Sequence, residues 1–153
     1  MSDGTAFRTG WGAAATTAAV RDACDDEPYA RKLGMRCLEV APGFSRVEMV
    51  LGEDMVNFFG IGHGGAVFSL IDTAFETACN SHGTMALALN VNITYISATK
   101  PGDRLTAEAK EESRTPRTAT YEVRVTRETG ELVALAQALA YRKKELLPFL
   151  PRE

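Results

Sequence analysis

The sequence is poor in the residues that build metal sites and disulfide frameworks. It holds three cysteines and two histidines in 153 residues. Cys24, Cys37 and Cys79 are odd in number and widely spaced. That excludes a disulfide framework and a Cys-x-x-Cys motif. They read as reduced thiols of a cytoplasmic protein. His63 and His82 lack metal-ligand spacing, so no metal or other cofactor is expected. Long hydrophobic runs are missing as well. No stretch of ~18 apolar residues occurs, and no membrane span is expected. The N-terminal run Met1-Ser2-Asp3-Gly4 has neither the basic nor the apolar part of a secretory signal. Excess positive charge is absent: 17 Lys+Arg against 20 Asp+Glu leave a net charge of −3. That argues against nonspecific binding to nucleic acid or anionic lipid.

What remains is an ordinary globular composition, 45% hydrophobic and 24% charged. A chain of this length supports one domain with one core. We expect a loose arm over 1–12, a single domain over 13–144 and a fraying, Pro-rich tail over 145–153. Residues 13–26 favour helix. Pro28 opens a short helical turn that Asp26 could cap and Gly34 could stop. Strands are expected at 35–40 and 44–51. In the second, Ser45, Val47, Met49 and Leu51 share one face.

The most unusual segment is Gly64–Asn80. Val67, Phe68, Leu70, Ile71, Ala74, Phe75 and Ala78 cover most of a helix circumference, the mark of a buried helix. Beyond Gly83 the period changes to two. A long strand over 85–95 presents Met85, Leu87, Leu89, Val91, Ile93 and Tyr95 on one face. Its small Ala86, Ala88, Asn90, Asn92, Thr94 face suits close pairing with another subunit. Three further strands follow, joined by turns too short for crossover helices, so they are antiparallel neighbours. The fold class is α+β, an antiparallel sheet curled around one long central helix.

Two features carry chemistry. Gly60-Ile61-Gly62-His63-Gly64-Gly65 matches Gly-x-Gly-x-x-Gly. It lacks the preceding apolar strand and the following acid of a dinucleotide site. The glycines do leave a helix N-terminus open to an anion or a developing oxyanion, or they merely permit a tight turn. Asp72 and Glu76 are the only ionisable carboxylates on an otherwise apolar helix. Buried, Asp72 would have a raised pKa and serve as a general base; otherwise the two acids mark a wet stripe. Ser69 and Cys79 have no nucleophile elbow or local histidine.

The run Asn57-x5-His63-Gly64-Gly65-x2-Phe68-Ser69-Leu70-x-Asp72-Thr73-Ala74-Phe75-x2-Ala78-Cys79-Asn80-Ser81 closely resembles the PaaI-type acyl-CoA thioesterases of the hotdog fold. The resemblance extends from about Ala23 to Lys143. It implies hydrolysis of an acyl-CoA thioester, with phenylacetyl-CoA or a ring-hydroxylated derivative as the expected substrate. It implies a homodimer with active sites at the interface, and a homotetramer of two such dimers. Asp72 would be base or nucleophile, Asn57 would orient water or thioester, and His63 would position the loop or carbonyl. The Gly64 N–H would bind the oxyanion, and Gly65, Phe68 and Thr73 would contact substrate. Lys100, Arg104, Arg114 and Arg117 lie near turns and could meet CoA phosphates, or are surface charge. A non-catalytic acyl-CoA sensor and a hotdog enoyl-CoA hydratase are the alternatives.

Overall fold

The computed structural model describes residues 12–150. The expected arm at 1–12 therefore lies, apart from Gly12, outside the described residues. The order of elements is α1 (Ala13–Asp26), α2 (Pro28–Lys32), β1 (Arg36–Ala41), β2 (Phe44–Val50), α3 (Gly64–Asn80), β3 (Thr84–Tyr95), β4 (Arg104–Arg114), β5 (Thr118–Arg127) and β6 (Leu132–Leu146). Glu27, not Asp26, is the N-cap of α2, and its side chain makes no cap hydrogen bond. Pro28 at the first helical position sets the start without one.

The strands form one six-stranded sheet in the order β1-β2-β4-β5-β6-β3, every pair antiparallel. Because β3 crosses to the far edge, beside β6, the sheet can wrap α3, which packs against β2, β3, β4 and β5. The period-two pattern explains the wrap. In β2, Ser45, Val47 and Met49 are buried between less buried neighbours, and in β5 so are Ala119, Tyr121, Val123 and Val125. On α3, Leu70, Ile71, Ala74, Phe75 and Ala78 are sealed. Ser45 Oγ donates to the Ala74 carbonyl at 2.5 Å, tying β2 to the middle of the helix.

The outer strand departs from its expected faces. β3 carries register shifts between Thr84 and Ala86 and between Ala88 and Asn90. A bulge inserts one residue and reverses the parity beyond it. Ala86 is buried and Leu87 and Leu89 are exposed, whereas Val91 and Ile93 pack on the core. The single apolar face expected for 85–95 is thus split between the two sides of the sheet. The chain end also differs from a frayed tail. β6 runs to Leu146, and Leu147 and Leu150 are buried against Val20 of α1. Among the described residues no helix is long and apolar enough to cross a membrane.

Candidate active site

The loop between β2 and α3 is folded back on itself. Val56 and Gly62 form a bridge, and the Asn57 N–H donates to the Ile61 carbonyl at 2.9 Å. Asn57 Oδ1 accepts from the Phe59 N–H at 2.9 Å and the Ile61 N–H at 3.4 Å. With its oxygen spent on the loop, Asn57 has its amide NH2 left for an outside acceptor. Gly62 locks the loop to the sheet, its N–H donating to the Thr99 carbonyl at 2.7 Å.

His63 is the N-cap of α3, and its Nδ1 accepts the Gly65 N–H at 2.8 Å. The Gly65 N–H is thereby taken by the cap. An accepting Nδ1 bears no proton, so the neutral ring carries its proton on Nε2 and can donate it outward. The Gly64 N–H, first in the helix, has no intrahelical acceptor. It makes no hydrogen bond among the described residues. Tyr95 of β3 closes one side of this turn, its hydroxyl donating to the Gly64 carbonyl at 3.0 Å. A Cβ on Gly64 would lie 3.3 Å from the Tyr95 ring, so the close approach uses a glycine.

Asp72 lies eight residues along the same helix, about 12 Å from Gly64 at the helical rise. Gly65, Phe68, Asp72 and Glu76 recur at helical spacing and form the one stripe of α3 that the sheet leaves open. Asp72 is half-buried and has no hydrogen bond or ion pair among the described residues. Burial raises its pKa above the usual carboxylate range, and the charge of Glu27 adds to the effect. Phe68 is exposed, whereas Thr73 is buried and lies off the stripe. Ser69 is engaged by Tyr29, hydroxyl to hydroxyl at 2.8 Å, and donates to the Gly65 carbonyl. Cys79 is buried, which pushes its thiol pKa well up and leaves it inert.

One chain therefore holds an oxyanion-type donor at one end of the stripe and an unpartnered carboxylate two turns away. They cannot act on the same carbonyl carbon, which needs both within about 3–3.5 Å. Large apolar side chains are exposed on this protein: Phe58, Phe59, Leu87, Leu89, Tyr95 and Ile96. One helical turn beyond Asp72, Glu76 and Glu27 line a groove of about 380 Å³. Val20, Met85, Leu87, Leu147 and Phe149 provide its apolar walls.

The Thioesterase superfamily profile matches residues 59–134, from the loop to the start of strand β6. A putative esterase of Archaeoglobus fulgidus is 45% identical over 76% of this chain and 75% of its own length. The chain belongs to the thioesterase superfamily. Within it, the acyl-coenzyme A thioesterase PaaI of Escherichia coli is 35% identical over 77% of this chain and 84% of that protein. The solved structure of E. coli PaaI, from the phenylacetic acid degradation operon, superposes with a TM-score of 0.82. It covers 86% of this chain and 95% of that one at 30% identity. The sheet wrapped on α3 is the hotdog fold of a PaaI-type thioesterase.

Thioesterase membership gives meaning to residues with no local sequence signal. Tyr95 braces Gly64 across a separation of 31 residues, and Thr99 braces Gly62. Nothing in the alternation of β3 distinguishes Tyr95 from its neighbours, and Thr99 sits in an irregular segment. Two of the four cations considered for CoA phosphates are already engaged. Arg104 pairs with Glu48 and Glu128, and Arg114 with Glu111.

Proposed function

We propose that this thioesterase hydrolyses acyl-CoA, with phenylacetyl-CoA and its ring-hydroxylated derivatives as the preferred class, in a site shared between two copies of the chain. The observation that carries the reading is the separation along α3. The open Gly64 N–H and the unpartnered Asp72 are both equipped for acyl transfer but lie about 12 Å apart. A two-fold axis beside the open edge of β3 would bring the turn of one copy to the Asp72 of the other, twice over. Exposed Leu87, Leu89, Tyr95 and Ile96 supply apolar surface for that pairing. Two such dimers make the expected tetramer.

In the shared site the thioester oxygen accepts the Gly64 N–H of one copy. Such a donor contributes about 3–4 kcal/mol to the transition state. His63 Nε2–H is the second donor available at that turn. Asp72 of the other copy takes a proton from water as the water oxygen bonds to the carbonyl carbon. Collapse breaks the C–S bond, the CoA sulfur leaves and takes back the proton held by Asp72 to become the thiol, and the acid is released with the base restored. Direct attack by the Asp72 carboxylate, followed by hydrolysis of an anhydride, uses the same placement. Asn57 NH2 holds the water or the thioester. No metal or redox cofactor is part of the scheme. The names of the relatives and the apolar groove beyond Asp72 support an aryl-acetyl group.

Release of CoA thiol from phenylacetyl-CoA tests the activity, and Asp72→Asn should lower turnover at least ~100-fold. Mixing Asp72→Asn with Gly64→Val tests the sharing. A mixed dimer retains one intact site, so random exchange should restore about a quarter of wild-type activity. No recovery in verified mixed dimers would refute a shared site. An active Asp72→Asn would refute the base.

A further inference from the structure

The groove beyond Asp72 is built from segments that meet only in the folded chain. Asp26 ends α1, Glu27 links it to α2, Glu76 is on α3, Met85 on β3, and Leu147 and Phe149 follow β6. Its walls are fastened. Asn80, the last residue of α3, clasps β3: its Oδ1 accepts the Ala86 N–H at 2.9 Å and its Nδ2 donates to the Ala86 carbonyl at 3.1 Å. The Leu147 N–H donates to the Gly83 carbonyl at 3.1 Å, and Leu147 and Leu150 are buried against Val20. Phe149 stands between those two anchors, yet it is 47% exposed beside the groove. A fixed aromatic wall along a concavity of about 380 Å³ fits a small organic group. The charge in the groove limits which group. Asp26, Glu27 and Glu76 line it, and no Lys, Arg or His does so among the described residues. An anionic group would lose water and meet carboxylates with no cation to compensate. An apolar body suffers neither loss, and a hydroxyl on it can donate to a carboxylate.

We propose that this groove is the acyl subsite: Met85, Leu147 and Phe149 set the size of the acyl group, and the three carboxylates restrict it to uncharged aryl groups, hydroxylated ones included. This rests on Asp72 acting as the base, because Asp72 then fixes where the carbonyl carbon lies. Glu76 is four residues further along α3, about 6 Å at the helical rise. A ring one methylene away from the carbonyl carbon spans that distance and enters between Met85 and Phe149. A hydroxyl at its far end arrives among the acids, whereas a carboxylate there is repelled. The CoA arm, with its phosphates, leaves the carbonyl on the side away from the groove. The segment after β6 is thus a specificity element, although it lies far in sequence from the loop and helix that carry the chemistry.

Kinetics with phenylacetyl-CoA and its 4-hydroxy and 4-carboxy derivatives test the assignment, with free CoA as a product inhibitor. Wild type should favour the hydroxylated over the carboxylated substrate at least about tenfold in kcat/KM. Glu76→Gln should narrow that ratio at least about threefold, and in a ratio any effect on Asp72 cancels. Phe149→Ala changes an exposed side chain. It should lower kcat/KM for phenylacetyl-CoA at least about tenfold and leave the Ki of free CoA within about twofold. Equal use of the hydroxy and carboxy substrates overturns the assignment, and so does an unchanged kcat/KM in Phe149→Ala. A Ki of CoA that rises as kcat/KM falls would put the CoA arm in the groove and overturns it as well. With Asp72→Asn inactive, each of these results spares the base. Activity surviving in Asp72→Asn overturns the base and this inference with it.

Discussion

Gly62→Ala should damage the enzyme from a position that touches no substrate. A Cβ at residue 62 would overlap the Thr99 hydroxyl outright. It would also lie 2.9 Å from Thr99 Cβ and 3.1 Å from Leu51 Cδ1. Neither neighbour has room to retreat, since Thr99 is 4% exposed and Leu51 2%. The loop must lift, and its 2.7 Å hydrogen bond to the Thr99 carbonyl goes with it. Overpacking costs about 1–3 kcal/mol, and the lost bond adds about 1. For a domain of this size that lowers Tm by roughly 4–16 °C at fixed protein concentration. The catalytic effect should be larger in proportion. His63, whose N–H is bound to the Met55 carbonyl at 2.8 Å, follows the loop, and the Gly64 N–H moves with it. A displacement of about 1 Å costs roughly 100-fold in turnover. Thermal unfolding and CoA release measured on the same preparation give both quantities. Thr99→Gly in the Gly62→Ala background removes every Thr99 atom that the new methyl meets. It should recover at least about 1 kcal/mol as a coupling energy. Wild-type activity and stability in Gly62→Ala would refute the locked loop, and so would additivity in the cycle.

Other measurements probe the opposite end of α3 and the thiols. Burial works to raise the Glu111 pKa, but His82, Tyr121 and Arg114 outweigh it and hold the carboxyl below its usual value. A depressed native pKa adds stability above the unfolded value of about 4.3, and that stability is lost as pH falls through the native one. Glu111→Gln should therefore destabilise the protein at pH 7, with the difference shrinking below about pH 4, as followed by urea unfolding at a series of pH values. Cys24, Cys37 and Cys79 are all buried. Native protein should leave a colorimetric disulfide reagent unreacted over minutes, and urea should release three thiols. Rapid native labelling would contradict that burial.

Much of the fold is legible in the residues. The bounds of α3 follow from the glycines before it and the apolar circumference within it, because a helix of that composition has to be wrapped. The faces of β2 and β5 follow from strict alternation. The faces of β3 do not, because a bulge reverses parity without leaving a mark in the pattern. The same limit applies to the C-terminal end. Charge and proline at 143–151 suggest an end in solvent, yet Leu147 and Leu150 find Val20, more than a hundred residues earlier.

The sequence alone determined the placement of a carboxylate on an apolar helix and of a glycine turn opening that helix. Side-chain type and helical spacing suffice for those, since both are local. Tertiary structure decided which groups are free to act. His63 takes up the Gly65 N–H and leaves the Gly64 N–H open. Tyr95 and Thr99 fix the turn from a distant strand and the segment after it. The contacts of Tyr95 and Thr99 span 31 and 37 positions, are created when the sheet closes on the helix, and no local pattern encodes them. The same closure leaves one stripe of α3 uncovered, with Asp72 on it and no hydrogen-bond or ion-pair partner for it among the described residues.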